Sequence, residues 1–173
     1  KGISYEPVAF EKADEVVAAY DAGRCDTYTT DKSGLAAQRT KMTNPDDHIV
    51  LPETVSKEPL GPVVRHGDDQ WLDVVKWSIY AVIEAEELKI NSSNVTSFLK
   101  SKNPRIRRFL GVSRGNGKAL GLDESWAKQI ITHVGNYEEI FERHVGKKSP
   151  LKLERGLNNL WTNGGLLYAP PIR

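Results

Sequence analysis

The sequence predicts an α/β fold: a compact βαβ unit at the front, an extended proline-bearing crossing, and a mostly helical remainder. Three observations carry this. Within the first thirty positions, two short runs of bulky and hydroxyl-bearing residues flank a stretch with apolar residues at helical spacing. Pro59 and Pro62 bracket Gly61 where regular patterning stops. From Asp68 onward the apolar residues recur at i, i+4 and i+8 instead of alternating.

The elements follow in order. Tyr5 to Phe10 reads as a short strand, with Pro7 suiting an edge or an early position. Glu11 to Ala22 reads as a helix with Ala13, Val16, Val17 and Tyr20 on one face, and Gly23 falls where a C-cap belongs. Cys25 to Thr30 reads as a second strand, so the two strands should run parallel with a right-handed crossover. Ser33 to Met42 is a second helix, Thr43 to Asp47 a turn, and His48 to Pro52 a third strand. The segment Glu58-Pro59-Leu60-Gly61-Pro62, continued by Val63 to Arg65, suits a crossing between two lobes.

Asp68 and Asp69 are placed to cap the strongest helix, where Trp71, Val75, Ile79, Val82 and Ile83 share a face and Glu84, Glu86 and Glu87 lie mostly opposite. Asn91 to Asn94 ends it. Residues 95–110 read as an amphipathic helix broken by Pro104, and Gly111 to Gly121 as a glycine-rich loop. Asp123 to Val134 and Tyr137 to His144 are further helices, separated by Gly135. The tail from Ser149 carries Leu151, Leu153, Leu157, Leu160, Trp161, Leu166, Leu167 and Tyr168, too apolar a set to hang free.

Composition narrows the function classes. The 173 residues are 39% apolar and 27% charged, a globular mixture able to bury a core without staples. A net charge of +1 gives no field that would select nucleic acid or an anionic membrane. The compact basic run Arg105, Arg107 and Arg108 has no interleaved aromatic residues and reads as a solvated helix face. The longest uninterrupted apolar stretch, around Ile79 to Ile83, is far short of the ~20 residues a bilayer needs. Lys1-Gly2-Ile3-Ser4 shows no export signal, which leaves a cytosolic chain and a chain whose N-terminal portion has been removed both open. Cys25, the single cysteine, is either a small buried hydrophobe or one half of a disulfide whose partner lies elsewhere.

Asp31 is the candidate for chemistry. It stands just past the C-terminal end of an expected parallel strand, where open α/β sheets place their ligand crevice. Tyr28-Thr29-Thr30-Asp31 sets hydroxyls beside a carboxylate able to take a charge-assisted hydrogen bond from an ammonium group. Two unit charges about 4 Å apart interact by roughly 4 kcal/mol at an effective dielectric near 20, before desolvation. The competing role is structural: an Asp ahead of a helix is a preferred N-cap and can accept the N–H of Ser33 or Gly34. Both roles fit one carboxylate, which has two oxygens.

Other features carry less. Gly115-Asn116-Gly117 and Gly121 lack the dinucleotide spacing and a preceding strand, so no cofactor is expected. His48, His66, His133 and His144 show no metal-ligand spacing, so no metal site is expected. Asn91-Ser92-Ser93 and Asn94-Val95-Thr96 match the glycosylation pattern but read as a turn. Trp71, Trp77, Trp126 and Trp161 sit among apolar residues and read as core. No nucleophile elbow, HExxH or P-loop occurs, so the chain is expected not to be an enzyme.

The run from Asp21-Ala22-Gly23-Arg24-Cys25 through Thr29-Thr30-Asp31 resembles the second-lobe signature of polar amino-acid-binding proteins. Leu51-Pro52-Glu53 and Lys57 through Asp69 resemble that family's return strand and following helix. With Gly135-Asn136-Tyr137, Pro150-Leu151-Lys152-Leu153 and the ending Gly164 to Pro171, the chain is similar throughout to the C-terminal half of general L-amino-acid-binding proteins.

The resemblance implies a type II periplasmic-binding-protein-like α/β fold, incomplete here: part of lobe 2 plus the C-terminal part of lobe 1. Residues 1–52 would form the second-lobe segment, 53–67 the hinge crossing and return strand, and 68–173 the helical part of the first lobe. Asp31, helped by Thr30, would hold the ligand's α-ammonium. The α-carboxylate-binding arginine would lie upstream, as would a disulfide partner for Cys25. Function follows as an expectation: the periplasmic substrate-binding component of an ABC importer. Its partners would be an L-amino acid, the transporter permease and the N-terminal half of the same protein, with no nucleic acid. A sensor domain on the same fold and a periplasmic dehydratase-like enzyme are the alternatives. A helix-turn-helix or transmembrane segment elsewhere in the gene product would favour the first, and a second acid/base residue beside Asp31 the second.

Overall fold

The computed structural model describes residues 2–57, 59–113 and 116–172. Lys1, Arg173, Glu58 of the expected crossing, and Arg114 and Gly115 of the expected glycine loop lie outside the described residues. The chain divides into two compact units, one ending at Pro59 and the other starting at Leu60.

The first unit is built on two short helices, α1 (Ala13–Asp21) and α2 (Lys32–Arg39). Asp14 and Glu15 in the first turn of α1 favour its N-terminus through the helix dipole. Its end is closed as the sequence predicts: Gly23 adopts φ +71°, and the N–H groups of Gly23 and Arg24 donate to the carbonyls of Tyr20 and Ala19. Asp21 then ties α1 to the loop after α2, accepting the backbone N–H of Thr43 at 3.2 Å and its hydroxyl at 2.7 Å. Tyr20 donates to or accepts from His48 Nδ1 at 3.0 Å, and its ring also meets Tyr28. The buried apolar residues of this unit are Ala19, Ala36 and Met42.

The three expected strands, Tyr5 to Phe10, Cys25 to Thr30 and His48 to Pro52, do not pair. Among the described residues no strand ladder forms, and one isolated parallel bridge joins Leu160 to Leu167 in the second unit. The physical reason is the nature of a strand. A helix satisfies its own backbone groups, whereas a strand needs another chain segment alongside. The backbone at Asp31 and His48 is extended, as the reading required, but no described segment pairs alongside it. Tyr5 is 81% exposed and Ile49 76%, with Val8 and Leu51 also open.

The second unit closes its own core. Its spine is α3 (Asp69–Glu87), capped as expected by the Asp68 carboxylate, which accepts the N–H of Trp71 at 3.0 Å. Around it lie α4 (Val95–Phe98), α5 (Pro104–Phe109), α6 (Trp126–His133) and α7 (Tyr137–His144), with α6 and α7 packed directly on α3. The expected helix over 95–110 is two helices, because Pro104 occupies the first position of α5 behind its Asn103 cap. A capping box between Asn136 and Glu139 opens α7. Phe109, Leu110, Ile90, Val95 and Ile131 are fully buried, each contributing about 1.5–3 kcal/mol. The tail packs through Leu160, Ala169 and Ile172.

Two arginines bind the acidic end of α3. Glu84, expected opposite the apolar face, is wholly buried and paired with Arg105 through two 2.8 Å bonds (Nε to Oε1, Nη2 to Oε2). Arg105 Nη2 also reaches Glu87 at 2.9 Å. One member of the basic run thus anchors α5 to α3, which the reading as a solvated face missed. Arg155, from the tail, pairs with Glu86 at 3.1 and 3.2 Å while lying over the rings of Tyr137 and Phe141.

Candidate functional site

Asp31 is the N-cap of α2. Its backbone is extended, and its carboxylate turns back over the first turn of the helix. Oδ2 accepts the Ser33 hydroxyl at 2.7 Å and the Gly34 N–H at 2.8 Å. Oδ1 has a 3.5 Å contact from the Thr30 hydroxyl, at the limit of a hydrogen bond. The capping role weighed from the sequence is therefore real, with Gly34 as the backbone donor. The part played by the Ser33 hydroxyl was not foreseen; the visible signal was a serine two residues beyond a capping aspartate.

These donors favour the charged form. The Ser33 hydroxyl first, then the Gly34 N–H, hold the Asp31 carboxyl below the usual carboxylate range, against a smaller opposing effect of burial. The group is ionised at neutral pH, half-buried, with one oxygen saturated and the other weakly engaged. Such an oxygen can accept a charge-assisted hydrogen bond from an ammonium group. The structure brings Thr30 beside it, exposed at the same turn.

The remaining candidates separate. Cys25 is a free, half-buried thiol among the described residues. Asn91 forms a turn, accepting the Ser93 and Asn94 N–H groups on its side chain. Trp126 is buried and Trp77 packs against the core, but Trp71 and Trp161 are each 53% exposed, a correction to reading all four as core. Both sit at the margin of the second unit, where α3 begins and where the tail folds back. The second unit carries a cavity of about 410 Å³ between Glu87, Arg105, Arg108, Trp161, Tyr168 and Ile172. A second hollow runs from Asp68 and Trp71 to Leu122. Among the described residues no three His, Cys, Asp or Glu side chains converge as a metal site would require, and no helix is long and apolar enough to cross a membrane.

The chain holds two compact units, the first with an ionised carboxylate where extended backbone enters a helix, and comparison with known proteins matches the chain to about half of a periplasmic binding protein. No family model matches the chain. It is 58% identical over 173 residues to the general L-amino acid-binding periplasmic protein AapJ of Rhizobium johnstonii, covering 99% of this chain and 51% of that protein. It is 49% identical over 172 residues to the glutamate/glutamine/aspartate/asparagine-binding protein BztA of Rhodobacter capsulatus, again covering 99% of this chain and 51% of the relative. Its structure matches a periplasmic binding protein from Brucella ovis with glutathione bound, at a TM-score of 0.93 and 53% identity, over 99% of this chain and 54% of that one. The chain is a homologue of the periplasmic amino-acid-binding proteins of ABC transporters, and it spans about half the length of the curated relatives it matches.

Proposed function

We propose that this chain is the C-terminal half of the substrate-binding component of an ABC importer. It works in the periplasm as a receptor and not as an enzyme. Asp31 and Thr30 belong to its amino-acid site, and residues 53–67 carry the hinge crossing and return strand. The observation that carries the reading is the Asp31 carboxylate: ionised, fixed through Oδ2, and open at Oδ1. The unpaired extended segments around Tyr5, Val8, Ile49 and Leu51 support a further half of the polypeptide completing the sheet. A ligand held between the closed lobes would be delivered to the membrane permease, closure being the standard switch of such architectures.

The relatives' ligands share one chemical feature. Free amino acids carry an α-ammonium beside an α-carboxylate, and the γ-glutamyl end of glutathione displays the same pair. Asp31 reads that ammonium whatever the side chain, which suits a broad ligand range. The test is calorimetry on the complete protein with glutamine, glutathione and N-acetylglutamine. Glutamine should bind, N-acetylglutamine should not, and Asp31→Ala should abolish binding without unfolding the protein. Equal affinity for glutamine and its acetylated form, or an Asp31→Ala protein that binds normally, would sink the proposal.

A further inference from the structure

We infer that Gly34 and Ser33 are positioning residues for the amino-acid site: they fix the Asp31 carboxylate so that Oδ1 is the oxygen presented to a ligand's ammonium. The inference rests on the reading of Asp31 as the ammonium-binding group.

The two carboxylate oxygens are treated unequally. Two short donors, Ser33 Oγ at 2.7 Å and Gly34 N at 2.8 Å, converge on Oδ2. Two bonds match the two lone pairs that one carboxylate oxygen offers. Oδ1 has the 3.5 Å contact from Thr30, itself exposed and free to rotate toward a ligand. An approaching ammonium therefore meets one well-oriented acceptor rather than a carboxylate free to spin about its last torsion. Holding a charged group in place before the ligand arrives lowers the ordering cost of binding.

Gly34 has a particular reason to be glycine. It lies inside the first turn of α2, where alanine is the better helix former. Its backbone is not in the left-handed region, so conformation does not demand glycine. What its missing side chain leaves free is the space filled by the Asp31 carboxylate. A Cβ built there would stand 3.1 Å from both oxygens and 3.3 Å from Cγ. That is tighter than ordinary van der Waals contact, and the group able to yield is the carboxylate. An N-cap alone needs one oxygen and one N–H, and tolerates a methyl group nearby. A carboxylate seated this closely against Gly34 suits a binding group whose orientation is fixed in advance.

The experiment measures amino-acid affinity by calorimetry and Tm by thermal unfolding on the complete protein, with Asp31→Asn, Gly34→Ala, Ser33→Ala and Ser33→Thr, using glutamine as the probe. The expected result is a split between stability and affinity. Gly34→Ala keeps or raises Tm while weakening glutamine binding by about tenfold or more, the scale of one disturbed charge-assisted hydrogen bond. Ser33→Ala weakens binding severalfold, and Ser33→Thr, which keeps the hydroxyl, restores it. If Asp31→Asn binds as the parent does, the underlying assignment of Asp31 fails. If Asp31→Asn loses binding while Gly34→Ala and Ser33→Ala both bind like the parent, the positioning role alone is overturned. Should Gly34→Ala lower Tm by more than a few degrees, the Ser33 pair decides: parental affinity in Ser33→Ala rejects the proposal.

Discussion

The two units of this chain are of unequal completeness. From Leu60 onward, helices wrap a continuous core running from Ala81 through Phe109 and Ile131 to Ile172. Up to Pro59, three small or flexible residues, Ala19, Ala36 and Met42, make up the buried apolar set. The difference is one of self-sufficiency. Helical segments close their own hydrogen bonds and need one apolar stripe to find another. Extended segments close nothing until a second strand arrives. Amide exchange on this chain tests the contrast most directly. Backbone amides of Ala85 and Ile131 should exchange on the order of a thousandfold slower than those of Ile49 and Val55, which sit near the unprotected limit. If a further half of the polypeptide completes the sheet, as proposed, supplying it should slow the second pair and leave the first unchanged. Equal protection in both units would mean that the first is not waiting for a partner.

The same contrast decides what could be read in advance. Helix α3 was legible in outline because its apolar residues keep one period from Trp71 to Ile83 and its cap is an aspartate. Gly23 and Asp31 were legible because helix ends have local rules, satisfied within four residues. The expected strands are runs of bulky and hydroxyl-bearing residues that do not pair among the described residues, since residue type says nothing about which segment lies alongside. The Glu84–Arg105 bond joins positions 21 residues apart and was hidden by periodicity itself, which assigns every charge to the wet side. For the site, residue type and position marked Asp31; the fit of its carboxylate against Gly34 needed coordinates.

Side-chain removal sharpens the comparison. Phe109 is 1% exposed at the heart of the second unit, and Phe109→Ala should cost about 3–5 kcal/mol in urea unfolding. Ile49→Ala in this chain, at a side chain already open to water, should cost less than about 0.5 kcal/mol. If the rest of the polypeptide completes the sheet, the same substitution in the complete protein should become costly. A cost that stays small there would show that position 49 faces solvent in the whole molecule too.

Charge follows the same division. Glu84→Ala removes the wholly buried member of the α3–α5 ion pair while leaving Arg105, whose side chain is 41% exposed. Because that guanidinium can turn to water, the loss should be about 2–3 kcal/mol, below the value for pairs buried on both sides. The additional double substitution Glu84→Ala, Arg105→Ala should cost little more than Glu84→Ala alone, since Arg105 then keeps only its half-exposed contact with Glu87, worth about 0–1 kcal/mol. Full additivity in urea melts would deny the coupling.

Asp31 should count for less than either Phe109 or Glu84, and its pH dependence distinguishes the two units. The Asp31 carboxyl is held below its usual range by Ser33 and Gly34, so folding favours its charged form. Its contribution is therefore complete above the unfolded-state value near 3.9 and is lost as pH falls through the lower folded value. Glu86 in the second unit runs the other way. Burial raises its carboxyl, with the Arg155 charge opposing, so folding favours the protonated form and its contribution to stability grows as pH falls through the raised value. Asp31→Ala should then destabilise the chain by about 1 kcal/mol at pH 7, the ordinary worth of an N-cap, with the difference from the parent vanishing in strong acid. Urea titrations across pH 2 to 7 provide the measurement. A deficit that persists unchanged below the folded value would mean that the neutral carboxyl caps α2 as well as the charged one. The donors on Oδ2 would then hold geometry alone and leave the charge offered at Oδ1 unsupported.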